Sequence, residues 1–268
     1  MSAAGDDNRA SDIRLDQYYT RTDVAANLYA IFREHFEPTH YQMVEPSAGT
    51  GSFLRLMPSG SLGFDIEPKF PGIETADFLK VEIRSRRQVA VVGNPPFGKN
   101  ACMAVRFFNH AARQSSVIAL ILPRTFRKAS IENRLNNRFH LLREKTVPND
   151  AFLFRSKPYN VPAVFQIWEL RSGPREPRHV ETSHPDFEFT TPGRAHFAIQ
   201  RVGARAGRLH RDLTMSPSSH YFIRGEVHDV MAQLDFSTVV GDVSGNPSLS
   251  KSEIVLLYRE YVASHACV

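Results

Sequence analysis

The sequence predicts an α/β fold, a mainly parallel central sheet flanked by helices, with a small C-terminal α+β appendage. Three observations predict it. Short apolar runs bounded by turn residues (Tyr41 to Val44, Val89 to Val92, Val117 to Leu122) alternate with segments of helical period. A glycine loop, Gly49-Thr50-Gly51, follows the first run, as in the strand–loop–helix units that cradle nucleotides. Composition then shifts at Arg171 to Pro185 to Pro, Ser and charge, and short alternating strands follow.

The 268 residues suffice for one full α/β domain and a small addition, and 42% hydrophobic content marks a globular chain. The expected division is a disordered leader 1–13, a catalytic domain 14–172, a linker 173–185 and a basic appendage 186–268. The polar stretch Met1 to Asp12 has no signal-peptide core, and no apolar run approaches the ~18 residues that span a membrane. Two distant cysteines without zinc spacing fit a reducing cytoplasm and no metal. A net charge of +5 mildly favours a polyanionic partner.

Taken in order, Thr22 to Phe36 has helical period, with Val24, Leu28, Ile31 and Phe32 on one face and Thr22 as cap. Tyr41 to Val44 ends a strand, Gly49 and Gly51 make a tight turn, and Ser52-Phe53-Leu54 opens a helix. The loop lacks the third glycine of a dinucleotide fingerprint and the Lys-Ser/Thr of a Walker loop, so a phosphate-free adenosine ligand fits better than NAD or ATP. Leu62 to Glu67 is a second strand. It places Asp65 20 residues past Glu45, where the loop segment begins, at the position where an acid grips a ribose diol. Thr75-Ala76-Asp77-Phe78-Leu79 offers a third acidic strand end. Either acid by itself reads as a solvated loop residue, but their order and spacing favour a cofactor site. Val89 to Val92 runs into Asn94-Pro95-Pro96-Phe97, Met103 to Ala112 is the next helix, and Val117 to Leu122 is a buried strand. Arg124 to Arg143 reads as a polar loop plus helix. Leu141–Thr146 and Val161–Leu170 add an antiparallel edge. In the appendage, His196 to Gly203 and Tyr221 to Arg224 read as strands, and Leu249 to Tyr261 as a helix capped by Ser250 or Ser252.

Asn94-Pro95-Pro96-Phe97 is the most informative segment. Two prolines stiffen the backbone and remove two donors, and Asn94 is pushed towards an extended conformation. The result is a rigid ledge that offers the Asn94 side-chain oxygen and the Pro95 carbonyl as acceptors beside the Phe97 ring. Such a ledge suits a flat substrate with an NH2 group. The plain alternative is a proline-rich turn with a core Phe.

Together, Glu45-Pro46-Ser47-Ala48-Gly49-Thr50-Gly51, Asp65, Ala76-Asp77-Phe78 and Asn94-Pro95-Pro96-Phe97 resemble class I S-adenosylmethionine-dependent amino-methyltransferases. The nearest resemblance is to N6-adenine methyltransferases of gamma motif order, as in restriction–modification systems. Asp16 to Thr20 looks like their N-terminal motif, and the similarity covers roughly residues 14–170. The resemblance implies a Rossmann-like fold and S-adenosylmethionine as cofactor. It implies that Thr20 contacts the methionine end, while Glu45, Ala48, Gly49 and Gly51 line the methionine and ribose. Asp65 would bind the ribose hydroxyls with Ile66 against the adenine, and Asp77 would accept from the adenine amine beside Phe78. Phe97 stands where many relatives have Tyr, which preserves stacking.

The expected chemistry is transfer to adenine N6, with two hydrogen bonds to the ledge freeing the amine lone pair. Cys102, expected to be buried in a helix, is no nucleophile, which argues against cytosine C5 chemistry. A duplex base must be flipped out. Phe97 would stack on one side of it and a phenylalanine of Phe152-Leu153-Phe154, with Phe154 favoured, on the other, although Phe152 and Phe154 both suit a core better. Arg194, Arg201, Arg205, Arg208 and Arg211 form a local basic stripe in the appendage, and Arg201 and Arg205 are the expected phosphate contacts. DNA is the favoured substrate and RNA the alternative. A glutamine methyltransferase, a non-catalytic nucleic-acid-binding subunit and a need for a specificity subunit stay open.

Overall fold

A computed structural model describes residues 18–154, 157–241 and 247–265. The expected leader, Asp16-Gln17 and Cys267 lie outside the described residues. The chain divides into two compact units, 1–177 and 178–268.

Unit 1 contains β1 (Tyr19–Thr20), α1 (Thr22–Arg33), β2 (Tyr41–Glu45), β3 (Leu62–Asp65), β4 (Glu74–Thr75) and β5 (Gln88–Gly93). Then follow α2 (Cys102–Ala112), β6 (Val117–Pro123), α3 (Ala129–Glu132), β7 (Phe139–Thr146), β8 (Phe152–Phe154), β9 (Lys157–Tyr159) and β10 (Ala163–Leu170). A seven-stranded sheet runs in the order β4-β3-β2-β5-β6-β10-β7. The pairs from β4 to β6 are parallel, and β10 is antiparallel to both β6 and β7. This is a Rossmann-like, mainly parallel sheet. The reversed strand lies inside the sheet rather than at its rim, because β7 takes the edge.

The central strands β5, β6 and β10 are buried on both faces and read as continuous apolar runs, whereas the edge strands β4 and β7 are largely exposed. Met43, Ala90, Val92, Ile121, Phe165 and Ile167 pack with Val24, Leu28 and Phe32 of α1. Val44, Val91, Ile118, Leu120 and Trp168 pack with Val105 and Phe108 of α2. Each such large side chain contributes about 1.5–3 kcal/mol by leaving water.

Three local expectations are corrected. No α-helix follows the glycine loop: the segment makes a single 3-10 turn, Leu54–Leu56. Pro58 is the reason, since it forces Met57 into an extended conformation (φ −82°, ψ 157°) before a helix can nucleate. Thr22 is the first helical residue and not the cap, and Arg21 at the N-cap makes no side-chain cap bond. Cys102 is exposed, because it opens α2 on that helix's outer side.

β1, β8 and β9 form a separate three-stranded sheet, with Tyr19 opposite Leu153 and Thr20 opposite Phe152. Between β10 and β11 the described chain makes no helix or strand beyond one isolated bridge, His184 to Phe187.

Unit 2 contains β11 (Glu188–Thr190), β12 (Phe197–Gln200), β13 (Leu209–His210), β14 (His220–Arg224), α4 (His228–Met231), α5 (Ser237–Val240) and α6 (Lys251–His265). Its four antiparallel strands run in the order β11-β14-β12-β13. Phe197, Ile199 and Ile223 pack with Ile254, Val255 and Tyr258 of α6. Ser250 and Glu253 form a capping box: the Ser250 backbone N–H and hydroxyl donate to Glu253 Oε2 at 2.7 Å, and Glu253 N–H donates back to Ser250 Oγ at 3.3 Å.

Candidate functional site

The carboxyl ends of β2, β3 and β5 and the loop after β4 converge on a cavity of about 300 Å³. In open, mainly parallel α/β sheets ligands bind in the crevice outside the carboxyl ends of the strands. The cavity wall includes Thr20, Glu45, Ala48, Gly49, Asp65, Ile66, Asp77, Phe78, Asn94 and Pro96 from the expected set.

The glycine loop is held by backbone bonds. Ala48 N–H donates to Phe64 O at 2.8 Å, Gly51 N–H to Ala48 O at 2.6 Å, and Lys69 N–H to Gly49 O at 2.9 Å. Gly49 has φ +47°, and a Cβ there would lie 2.8 Å from the Tyr19 ring. Gly51 is outside the cavity wall. Its φ of +73° and the Phe70 ring, 2.8 Å from a would-be Cβ, explain the glycine as packing under the loop.

Asp65 accepts from Gly49 N–H at 2.7 Å and from Glu67 N–H at 2.8 Å, one bond per oxygen. Each oxygen keeps a lone pair for a diol. Beside it, Ile66 is 55% exposed and presents an apolar face to the cavity. Asp77 accepts from Leu79 N–H at 3.1 Å, and Lys80 is 3.8 Å from its other oxygen. Phe78 is fully buried, stacked on Phe107 at 5.6 Å, so it is as much core as cavity wall.

Glu45 is buried under the loop and accepts from Leu54 N–H at 2.6 Å and Phe53 N–H at 3.4 Å. Burial pushes its carboxyl up to about 8, the two backbone donors oppose this, and the charge of Asp65 adds to it. Its carboxyl therefore closes the 3-10 turn as well as facing the cavity.

At the ledge, Asn94 donates from Nδ2 to Tyr18 O at 3.1 Å, while Ser47 Oγ donates to Asn94 O at 2.8 Å. The bond to a carbonyl, which can only accept, fixes the amide orientation. Asn94 Oδ1 is buried and has no hydrogen-bond partner, and the same holds for Thr20 Oγ1. Pro95 is buried, and Phe97 sits off the cavity, edge-on to Phe152 at 6.5 Å. Phe97 O accepts from Met103 and Ala104 N–H, both at 3.2 Å, which ties the ledge to the first turn of α2. Between them Asn100 (φ 53°) and Ala101 (φ 60°) are left-handed, costing about 1–2 kcal/mol each.

Phe154 is half-buried and not itself part of the cavity wall; it packs behind the wall residue Tyr18 at 5.5 Å and on Tyr159 at 6.0 Å. In unit 2, Arg205 is exposed, whereas the Arg201 guanidinium lies over Tyr221 at 4.8 Å with its Nε buried and unpartnered. Residues missed by sequence reasoning are Tyr18, Tyr19, Ser47 and the trio Met103, Arg106 and Phe107. The trio has i, i+3, i+4 spacing on α2, a signal that was there to read. Among the described residues, no group of three or more His, Cys, Asp or Glu is placed to hold a metal, and no helix is long and apolar enough to cross a membrane.

No family model and no curated protein matches the sequence. Several solved structures are similar at low identity. The 23S rRNA methyltransferase ErmE is 16% identical with a TM-score of 0.40, over 59% of this chain and 70% of that one. A type I restriction–modification methyltransferase subunit from Streptococcus thermophilus is 15% identical with a TM-score of 0.42, over 58% and 46%. Magnesium protoporphyrin IX methyltransferase ChlM from Synechocystis PCC 6803, solved with bound SAM, is 14% identical with a TM-score of 0.40, over 59% and 82%. Likenesses this distant say nothing of substrate.

Proposed function

We propose that this chain is an S-adenosylmethionine-dependent methyltransferase acting on the N6 amine of adenine in nucleic acid, with DNA favoured and RNA the alternative. The observation that carries the reading is Asn94 Oδ1, a buried acceptor without a partner, aimed by the Tyr18 bond at the end of β5. A buried orphan acceptor is costly unless something donates to it. An exocyclic amine is such a donor.

The cavity fits the cofactor on its own chemistry. Thr20 Oγ1 is a second orphan, suited to the polar methionine end. Asp65 has spare lone pairs for a ribose diol, and Ile66 offers a bare apolar face to an adenine. When bound, S-adenosylmethionine supplies an activated methyl group. Asn94 and the Pro95 carbonyl would accept the amine hydrogens, position the nitrogen and free its lone pair, so no strong base is required. Phe97 would bound the base at its edge. Arg205 and its basic neighbours would hold phosphates.

The test is methyl transfer from labelled S-adenosylmethionine, with duplex DNA, single-stranded DNA, RNA and protein extract offered in parallel and the product identified by mass. N6-methyladenine in a nucleic-acid pool is expected. Label only on protein glutamine would overturn the substrate assignment, and cofactor binding without any transfer would favour a subunit that needs a partner.

A further inference from the structure

We propose that Arg124 and Thr125 form a phosphate grip for the substrate strand, one strand over from Asn94. The proposal rests on the nucleic-acid reading above.

β5 and β6 are adjacent and parallel, with Gly93 opposite Leu120. Asn94 follows Gly93 directly, whereas β6 continues through Pro123 before Arg124 begins a 3-10 turn, Arg124–Arg127. Arg124 thus overhangs the ledge by about 10 Å, three residues at ~3.3 Å each. That is comparable to the span from an adenine amine to the phosphate of its own nucleotide.

Two polar atoms at this strand end lack partners. Arg124 Nε and Thr125 Oγ1 are both buried without a hydrogen bond. The backbone around them is fixed: Arg124 N–H donates to Pro162 O at 3.2 Å, and Phe126, 1% exposed, anchors the turn in the core. The nearest other cation in the turn is already engaged, since Arg127 Nε pairs with Glu144 at 2.9 Å. Among the described residues Arg124 has no ion pair, and no acid lies between Ile121 and Ile131 in the sequence. A guanidinium and a hydroxyl donor on consecutive residues of a held backbone, with no acid in their own segment, match a tetrahedral oxyanion. Neutral base edges would not call for the charge.

The test measures binding of poly(dA) and poly(A) by the full chain across a salt series. Arg124→Gln, Arg124→Lys and Thr125→Val are compared with wild type, alongside S-adenosylhomocysteine affinity and Tm. Arg124→Gln is expected to weaken polymer binding about tenfold and to reduce the log–log salt slope by about 0.7, one single-strand phosphate contact. Arg124→Lys should keep the slope, and Thr125→Val should weaken binding without changing it. Homocysteine-adduct affinity and Tm should hold in all three. An unchanged slope in Arg124→Gln overturns the grip, and so does a joint loss of Tm and S-adenosylhomocysteine binding, which would mark a structural role. Wild-type chain that binds neither polymer would instead overturn the nucleic-acid reading and the grip with it.

Discussion

Replacing Glu45 by Gln is expected to abolish a pH dependence of cofactor binding that the wild-type chain possesses. The Glu45 carboxyl is 2% exposed, and burial holds it at about 8. At pH 7 the unliganded group is then about 90% protonated, against almost none for an ordinary Glu near 4.3. A sulfonium and an ammonium bound along the same cavity wall favour the carboxylate. If they return the group to its ordinary range, binding at pH 7 releases about 0.9 proton, and affinity tightens about 50-fold between pH 6 and pH 8. Calorimetry in buffers of different ionisation enthalpy measures the proton count directly. The ligand's own amino group titrates near 7.7–8.0 in both proteins, so the Gln variant serves as the subtraction. Stability gives a second readout of the same group. Because the folded-state value is raised, the folded chain holds the extra proton between about 4.3 and 8, and stability present below that window is lost as pH rises through it. The full loss is of order 5 kcal/mol. Unliganded wild type should therefore lose Tm between pH 6 and pH 8, and the Gln variant should not. Wild-type affinity that is flat with pH, or the same profile in both proteins, would refute the placement of Glu45 beside the cofactor's charges.

Four other outcomes follow from the geometry. Asn94→Ala should lower kcat by about 10²–10³, the usual cost of a lost transition-state hydrogen bond, with S-adenosylhomocysteine affinity unchanged by calorimetry. Gly49→Ala should cost about 1–2 kcal/mol from its φ of +47°, and should weaken cofactor binding because the new methyl displaces the Tyr19 wall. Urea unfolding and calorimetry separate the two effects. Arg175→Ala should cost about 3 kcal/mol in urea, since that guanidinium, 11% exposed, donates to the carbonyls of Glu132, Leu135, Asn136 and Phe139 and lies 3.6 Å from the Glu132 carboxylate. Arg201→Gln with Arg205→Gln should flatten the salt slope of nucleic-acid binding. Arg205→Gln alone should account for most of the change, because Arg201 is already committed to Tyr221.

The legible part of this chain is the part whose signal is local. Each central strand is a short apolar run, and each candidate ligand residue sits where such a run stops. Asp65 and Asn94 could therefore be placed at strand ends from the sequence alone. The same logic failed where the deciding contact lay outside the window. Ser52-Phe53-Leu54 has helical promise, but Pro58 and the Glu45 carboxylate, which takes the Phe53 and Leu54 N–H groups, commit it to a single turn. Thr22 has the right chemistry for a cap and stands one residue too late to be one.

What no local pattern carried is the scaffold that aims the ligand groups. β1 and β8 are strands of two and three residues, too short for any periodicity, and they exist only because Tyr19 pairs with Leu153. That pairing positions Thr20 at the cavity and brings the Tyr18 carbonyl to Asn94, a bond between residues 76 apart in sequence. The Asn94 amide would otherwise rotate freely and present either edge. Held by Tyr18, it presents its oxygen, and an N-terminal segment that looks peripheral in the sequence thereby decides the polarity of the ledge. Tyr18 acts through its backbone carbonyl, so Tyr18→Phe should leave transfer within about threefold of wild type, a change under ~1 kcal/mol in barrier. A proline at Tyr19, which removes the N–H that follows that carbonyl and disturbs the pairing with Leu153, should lower kcat far more than it lowers Tm. Equal losses in both variants would mean that the Tyr18 hydroxyl, and not the strand, orients Asn94.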